Sequence, residues 1–446
     1  MDLFTIIAPI AAVLEPVFQQ YAAFGRPVLD FLHVIFQGTF QTILWIAVLV
    51  SLLYYMMCAY VLLKGRGKRK ETPVMGELPF VTVQIPTRNE LVALRCAEHC
   101  LAFDYPKEKY EILIGDDSNM PEVSARLNEF AAAHPEMVRV LKRASNVGFK
   151  PGNLNNMLQH SRGEYIVIFD SDFVPKQDFL ARIVQPFARD PSLAGVQARW
   201  NLLNANQNLV SALGATIVAT CHHVGIPFMN RSTNIGFFCG SAEAVKKDVL
   251  VKLGGWESGA LTEDIEFSMR LIRNGYRIEY LEDLECDSEV PFLIRDLYRQ
   301  QMRWAYGVVS AYKKHFVGIA TSKHLSIKDK TILGILFCTG YFLSVLLAAL
   351  FVMGILSFIT NPPAPIDIPL FMAETFKNIA LTSGLVVTSF FALARANRLR
   401  LTVPMILSSF TYGLLVTYYV NVGIFKALFR APMEWFLLNK QGNKLA

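Results

Sequence analysis

The 446-residue sequence predicts an α/β domain built on a parallel sheet and joined to transmembrane α-helices. Two observations predict it. From 78 to about 315, short apolar strands alternate with helical patterns and charges are frequent, as in βαβ units. On either side lie long runs almost free of charge, and 53% of all residues are hydrophobic, too many for an ordinary soluble protein.

Residues 4–24 are apolar but carry Glu15, Pro16, Gln19 and Gln20. They read as an interfacial helix, with a membrane span as the alternative. The uncharged run 38–63 exceeds the roughly 20 residues that cross a bilayer. Lys64, Arg66, Lys68, Arg69 and Lys70 follow and mark the cytosolic side. Abutting an apolar helix, that basic run argues against nucleic acid as a partner. Strands are expected at 81–85, 111–115, 138–141 and 165–169, with helices near 90–102, 121–134 and 152–161. Further spans are expected at 331–359 and 377–395. The loop 361–365 between them lacks basic residues and belongs outside. Arg395, Arg398 and Arg400 belong inside.

Residues 402–429 are apolar yet contain Ser408, Ser409, Thr411, Tyr412, Thr417, Tyr418, Tyr419 and Asn421. Lys426, Arg430, Lys440 and Lys444 would fall outside if this stretch crossed, so it reads as an interfacial or re-entrant helix. The expected organisation is a membrane-associated segment 1–70, a cytosolic domain 71–316 and a membrane region 317–446 with a cytosolic tail from 430. The start Met1-Asp2-Leu3 lacks the features of a cleavable signal. The seven cysteines form no CxxC pair, which points to reduced thiols and no zinc site.

In parallel sheets, ligands bind at the carboxyl ends of strands. Asp170-Ser171-Asp172 and Asp116-Asp117 fall there. Asp170 and Asp172 can share a hard cation, Mg2+ or Mn2+, with a diphosphate. Asp116 and Asp117 can accept hydrogen bonds from a base and ribose, or close an Asx-type turn. Pro86 and Glu90 lie where the first strand opens a helix, and Lys150 precedes a helix start. Both places suit a phosphate or nucleotide, or a plain cap. Thr262-Glu263-Asp264 starts a helix with Thr262 as N-cap. Asp264, ionised at pH 7 near its ordinary pKa, is the candidate general base. Cys239 and Gly240 form an apolar turn that can bring backbone near an acceptor. Gln300, Arg303 and Trp304 share one helical face. There Arg suits a diphosphate and Trp a sugar ring, and the same face suits a membrane surface. Adjacent His222 and His223 point apart on a helix and make a poor metal site.

The order PTRNE, DDS, FKPGN, DSD, FFCGS, TED, QQMRW resembles the family 2 inverting glycosyltransferases, in their membrane-embedded cellulose synthase-like branch. Gln197-Ala198-Arg199-Trp200 and the stretch 434–440 look most like the glucomannan synthases of that branch. The resemblance implies a GT-A fold. It implies that Asp116 and Asp117 hold the nucleoside, Asp170 and Asp172 the ribose and metal, and Asp264 the proton. Gln300 and Arg303 would serve the diphosphate, with Pro86, Glu90 and Lys150 on the donor side. Trp304, Cys239, Gly240 and Glu263 would serve the acceptor. In relatives the counterpart of 434–440 is a loop over the nucleotide, with Thr where Leu438 stands. The implied activity is transfer from a UDP- or GDP-sugar to a growing β-linked glycan in a plasma, inner or Golgi-type membrane. A single transfer to a lipid acceptor is the alternative, and accessory subunits are left open.

Overall fold

The computed structural model describes residues 3–65, 77–233, 235–362 and 367–444. Arg66, Lys68, Arg69 and Lys70 of the basic run lie outside them, as does most of the 361–365 loop. The chain forms two compact units. One comprises Met57–Leu336 with Ser389–Ala446, the other Met1–Met56 with Phe337–Thr388.

The first unit is organised by seven strands: β1 Val81–Thr87, β2 Tyr110–Asp116, β3 Val138–Lys142, β4 Tyr165–Ile168, β5 Leu193–Leu202, β6 Glu243–Lys246 and β7 Arg277–Ser288. Their order is β3-β2-β1-β4-β6-β5-β7. The expected strands are all present, but the sheet is mixed. β6 runs antiparallel to both β4 and β5, while β5 pairs parallel with β7. Residues 193–202, 243–246 and 277–288 carry interior charges such as Arg199, Glu243 and Glu282, which hide the strand pattern in the sequence.

Both sheet faces are covered. Val81, Val83, Ile85, Ile112, Ile114 and Val167 pack on one side with helices Val92–Leu101 and Phe179–Arg189. Leu113, Ile166, Ile168 and Val245 pack on the other with helices Phe149–His160 and Glu263–Arg273. Successive strand side chains alternate faces, so a doubly covered sheet needs near-continuous apolar strands. A buried apolar helix, Leu209–Thr233 with a π-helical turn at Cys221–Gly225, has the length and composition of a span. Yet 72% of its apolar window is buried, and Ala212, Ala215, Ala219 and Phe228 join a core with Met57, Val61 and Met405. His222 in its turn stacks on Trp200 and bonds the Tyr280 hydroxyl at 3.0 Å, which makes it a packed side chain.

In the second unit the Leu3–Leu63 helix kinks at Gly25, and the stretch Gly25–Leu63 is long and apolar enough to cross a membrane. This candidate stretch reaches back past 38 through His33 and Gln37, which are polar yet partnered. His33 Nδ1 lies 3.0 Å from the Ser357 carbonyl, and the Ser357 hydroxyl donates to Gln37 Oε1 at 2.8 Å. A second candidate span runs Ile327–Thr360 through a π-helical turn at Cys338–Phe342. The stretch expected at 377–395 is a bent pair, Ile368–Leu381 and Gly384–Arg395, at 54°. In the first unit, Leu399–Phe410 and Tyr412–Leu428 bend by 62° at Thr411, a broken span or a re-entrant loop.

Candidate active site

The carboxyl ends of β1, β2 and β4 open on a cleft closed by helices Glu263–Arg273 and Ile294–Thr321 and by the segment 435–440. Pro86, Glu90, Asp117, Lys150, Asp170, Asp172, Cys239, Gly240, Glu263, Asp264, Gln300, Arg303 and Trp304 all line it. Asp116, expected at the nucleoside, does not line it. It is fully buried beneath the rim. It accepts from Ser118 N at 2.8 Å, Ser124 Oγ at 2.5 Å and Lys142 Nζ at 3.0 Å, so it closes the Asx-type turn. Asp117 faces the cleft and is gripped through both oxygens by Arg143, with Nε at 2.7 Å. Arg143 also donates to the carbonyls of Val147 and Phe149, which ties the end of β3 to the start of the Phe149–His160 helix.

The two aspartates after β4 have different partners. Asp170 Oδ1 lies 2.7 Å from Lys150 Nζ, which also reaches Glu263 Oε1 at 3.1 Å and the Gly240 carbonyl at 2.6 Å. Lys150 is thus a half-buried counter-ion among carboxylates, where the sequence reading offered it to a phosphate. Asp172 Oδ1 lies 2.8 Å from Lys440 Nζ, and its Oδ2 accepts from Glu289 N at 3.1 Å. Burial raises the Asp172 carboxyl, but the Lys440 ammonium outweighs it and holds the group below the usual range. The neighbouring Glu90 carboxyl is raised by burial despite Lys440. No cluster of three or more His, Cys, Asp or Glu suited to a metal occurs among the described residues. Two carboxylates at a cleft wall do fit a hard cation that completes its shell with phosphate oxygens and water.

Asp264 sits at the start of the Glu263–Arg273 helix, opposite Gly240. Gly240 has φ +86°, and a Cβ there would lie 3.3 Å from Asp264 Oδ2 and 3.4 Å from Lys150 Nζ. The turn therefore needs glycine both for its left-handed backbone and for room. Burial, and then the charge of Glu263, raise the Asp264 carboxyl to about 7, with Lys150 and Arg303 opposing. This corrects the expectation of an ordinary acidic pKa. Thr262 holds the N-cap position, but its side chain makes no cap bond. Its methyl and hydroxyl pack instead where a Cβ on Gly307 would stand. Arg303 donates to the Leu261 carbonyl at 2.8 Å and lies 4.3 Å from the Trp435 ring centroid. Trp304 lines the cleft and packs against the Met57–Met405 core. Cys239 donates its N–H to Gln197 Oε1 at 2.7 Å, and burial pushes its thiol up.

Arg143, Glu243, Glu289 and Lys440 were missed in the sequence. Glu289 follows the end of β7 at the same rim, but the charges in that strand hid its signal. Glu243, buried on β6, accepts from Gly240 N at 2.9 Å. Lys440 sits far along the chain and had none beyond its motif.

The model of the glycosyltransferase like family 2 matches residues 79–307, half of the chain. A probable glucomannan 4-beta-mannosyltransferase 7 of Oryza sativa subsp. japonica is 30% identical over 264 residues, 57% of this chain and 45% of the relative. Glucomannan 4-beta-mannosyltransferase 2 of Arabidopsis thaliana is 31% identical over 257 residues, 56% and 48% of the two chains. The chain thus spans about half the length of these curated relatives. A mannosyltransferase from Pyrobaculum calidifontis, solved in complex with GDP-Man and Mn2+, superposes with TM-score 0.61 at 20% identity. That likeness covers 91% of this chain and 100% of the other, and it establishes a GT-A-like fold. With the acidic strand ends and the Gln-x-x-Arg-Trp helix gathered at one cleft, the chain belongs to the glycosyltransferase like family 2.

Proposed function

We propose that the protein is a membrane-bound, inverting, metal-dependent hexosyltransferase that extends a β-linked glycan, with GDP-mannose as donor. One observation carries this reading: Asp264, the diphosphate-side pair Asp170 and Asp172, and the Gln300–Trp304 face all converge on one cleft. The mannosyl donor rests on the names of the relatives and on the ligand of the structural neighbour.

The nucleoside lies over β1 and β2, against Pro86 and Asp117. Asp170 and Asp172 would hold a divalent cation, which would supply positive charge to offset that of the leaving diphosphate. Arg303, whose planar fork suits a diphosphate, and Gln300 take its other side. The acceptor lies over Trp304 beside Cys239, Gly240 and Glu263. Asp264 Oδ2 removes the proton of the acceptor hydroxyl as its oxygen bonds to the anomeric carbon and the bond to the diphosphate breaks on the opposite face. One displacement inverts the anomeric centre.

Arg395 pairs with Glu282 at 3.6 Å, and Arg398 donates to Asn201 Oδ1 at 2.9 Å and to the Leu202 carbonyl at 2.7 Å. The basic flank that the positive-inside rule puts in the cytosol is thereby fastened to the strands. This supports a cytosolic catalytic unit.

The test uses purified protein in nanodiscs with Mn2+ or Mg2+, each of GDP-mannose, UDP-glucose, UDP-galactose and UDP-N-acetylglucosamine, and a β-linked oligosaccharide primer. GDP-mannose consumption, with a product cut by an endo-β-mannanase and lost in Asp264→Asn, is the expected result. Turnover that survives Asp264→Asn would overturn the assignment of the base.

A further inference from the structure

The segment 434–440 does more than border the cleft. The Lys440 ammonium lies close to three oxygens. These are Asp172 Oδ1 at 2.8 Å, Ser171 Oγ at 2.6 Å and Glu90 Oε2 at 3.1 Å. Ser171 in turn donates to Glu90, so the ammonium completes a closed set of partners. Its neighbours on the chain are anchored as well. Asn439 donates from N and Nδ2 to Asp296 Oδ2 at 3.1 and 2.7 Å. Gln441 N and Gly442 N donate to Glu289 at 2.6 and 3.1 Å. Trp435 stacks on Phe149 at 6.0 Å under the Arg303 guanidinium.

Asp172 is therefore neutralised from within the chain, by an ammonium on the same oxygen that a divalent cation needs. Two cations cannot share a carboxylate oxygen at contact distance without strong mutual repulsion. Asp170 is in contact with a different lysine, Lys150, at 2.7 Å. We infer that Lys440 is an internal stand-in for the metal. Its ammonium and the divalent cation compete for Asp172, and metal binding transfers the ammonium from the carboxylate to the incoming diphosphate. Metal and nucleotide then load together, because the metal displaces Lys440 and the diphosphate receives it. This rests on the reading of Asp172 as a metal ligand.

The experiment measures Mn2+ binding by electron paramagnetic resonance on the full chain in nanodiscs, without nucleotide, and then GDP binding at saturating Mn2+. In Lys440→Met, Mn2+ should bind at least about tenfold more tightly and GDP at least about fivefold more weakly. Lys440→Arg, which keeps the charge, should stay near the wild-type Mn2+ affinity, and Asp172→Asn should lose the Mn2+ signal. Equal Mn2+ affinity in wild type and Lys440→Met would overturn the inference, as would Mn2+ binding that persists in Asp172→Asn. If Mn2+ tightens as expected and no nucleotide-sugar is consumed, the proposed activity fails while the competition stands. If GDP-mannose is consumed and the Mn2+ affinity does not move, the reverse holds.

Discussion

The base pKa can be moved in opposite directions by two single substitutions. Asp264 titrates at about 7, some three units above its ordinary 3.8, because it is buried and sits beside Glu263. Three units correspond to about 4 kcal/mol of preference for the neutral acid. Lys150, within reach of Glu263, Asp170 and the Gly240 turn, works against that shift. An opposite charge a few ångströms away lowers a carboxyl by ~1–3 units, and a like charge raises it. Lys150→Met should therefore push the Asp264 midpoint up by ~1–2 units, and Glu263→Gln should pull it down by ~1 unit. Since only the ionised form takes the proton, kcat/KM should fall tenfold per pH unit below the midpoint. At pH 7, where about half of the wild-type base is ionised, Lys150→Met should lose about 5- to 50-fold and regain much of it by pH 9. Glu263→Gln should retain activity at pH 6, where the wild type has begun to fail. The assay is kcat/KM for the donor between pH 5.5 and 9.5 at saturating metal. Midpoints that stay together, or that move in the same direction, would refute the charge-sharing account.

Gly240→Ala forces a side chain into a left-handed backbone and against Asp264 Oδ2, 3.3 Å away. The strain is ~1–2 kcal/mol, and kcat should drop at least about tenfold while a thermal melt shifts by only a few degrees. Arg303→Lys keeps the charge but loses the bidentate fork and the contact with Trp435. The KM for the donor should rise about tenfold, read from initial rates. Arg231 grips Glu282 through Nε at 2.7 Å and Nη2 at 2.6 Å, with Arg199 and Arg395 as weaker partners. Arg231→Met should cost about 1–3 kcal/mol, below the range for a fully buried pair because the pair is only half-buried and other arginines remain, as measured by denaturant unfolding in detergent.

The sequence displayed the parts of this molecule that obey local rules. β1 to β4 are apolar runs bounded by turns, and the acids that follow them stand at the rim because a strand ends there. Asp170 and Asp172 were legible for that reason, and Asp264 because a helix starts beside it. β5, β6 and β7 were not, since Arg199, Glu243 and Glu282 interrupt their pattern, and these charges are tolerated only because partners arrive from elsewhere in the chain. Gln37 and His33 interrupt the apolar pattern of the Gly25–Leu63 helix in the same way, through partners on a helix more than three hundred residues later.

Charge pairing follows the same logic inside the cleft. Four acidic groups, Asp170, Glu243, Glu263 and Asp264, surround Lys150, while Asp172 and Glu90 share Lys440. Periodicity reveals the carboxylates, because their places are set by the strand and helix on which they stand. It cannot reveal which cation serves which acid. Lys150 meets the Gly240 carbonyl across 90 residues of chain, and Lys440 meets Glu90 across 350. Those long-range partners temper the protonation of Asp264, which burial and Glu263 set, and they occupy Asp172. Residue identity alone marks both aspartates as ordinary ionised acids. The fold makes one of them a base poised near neutrality and gives the other a cation of its own.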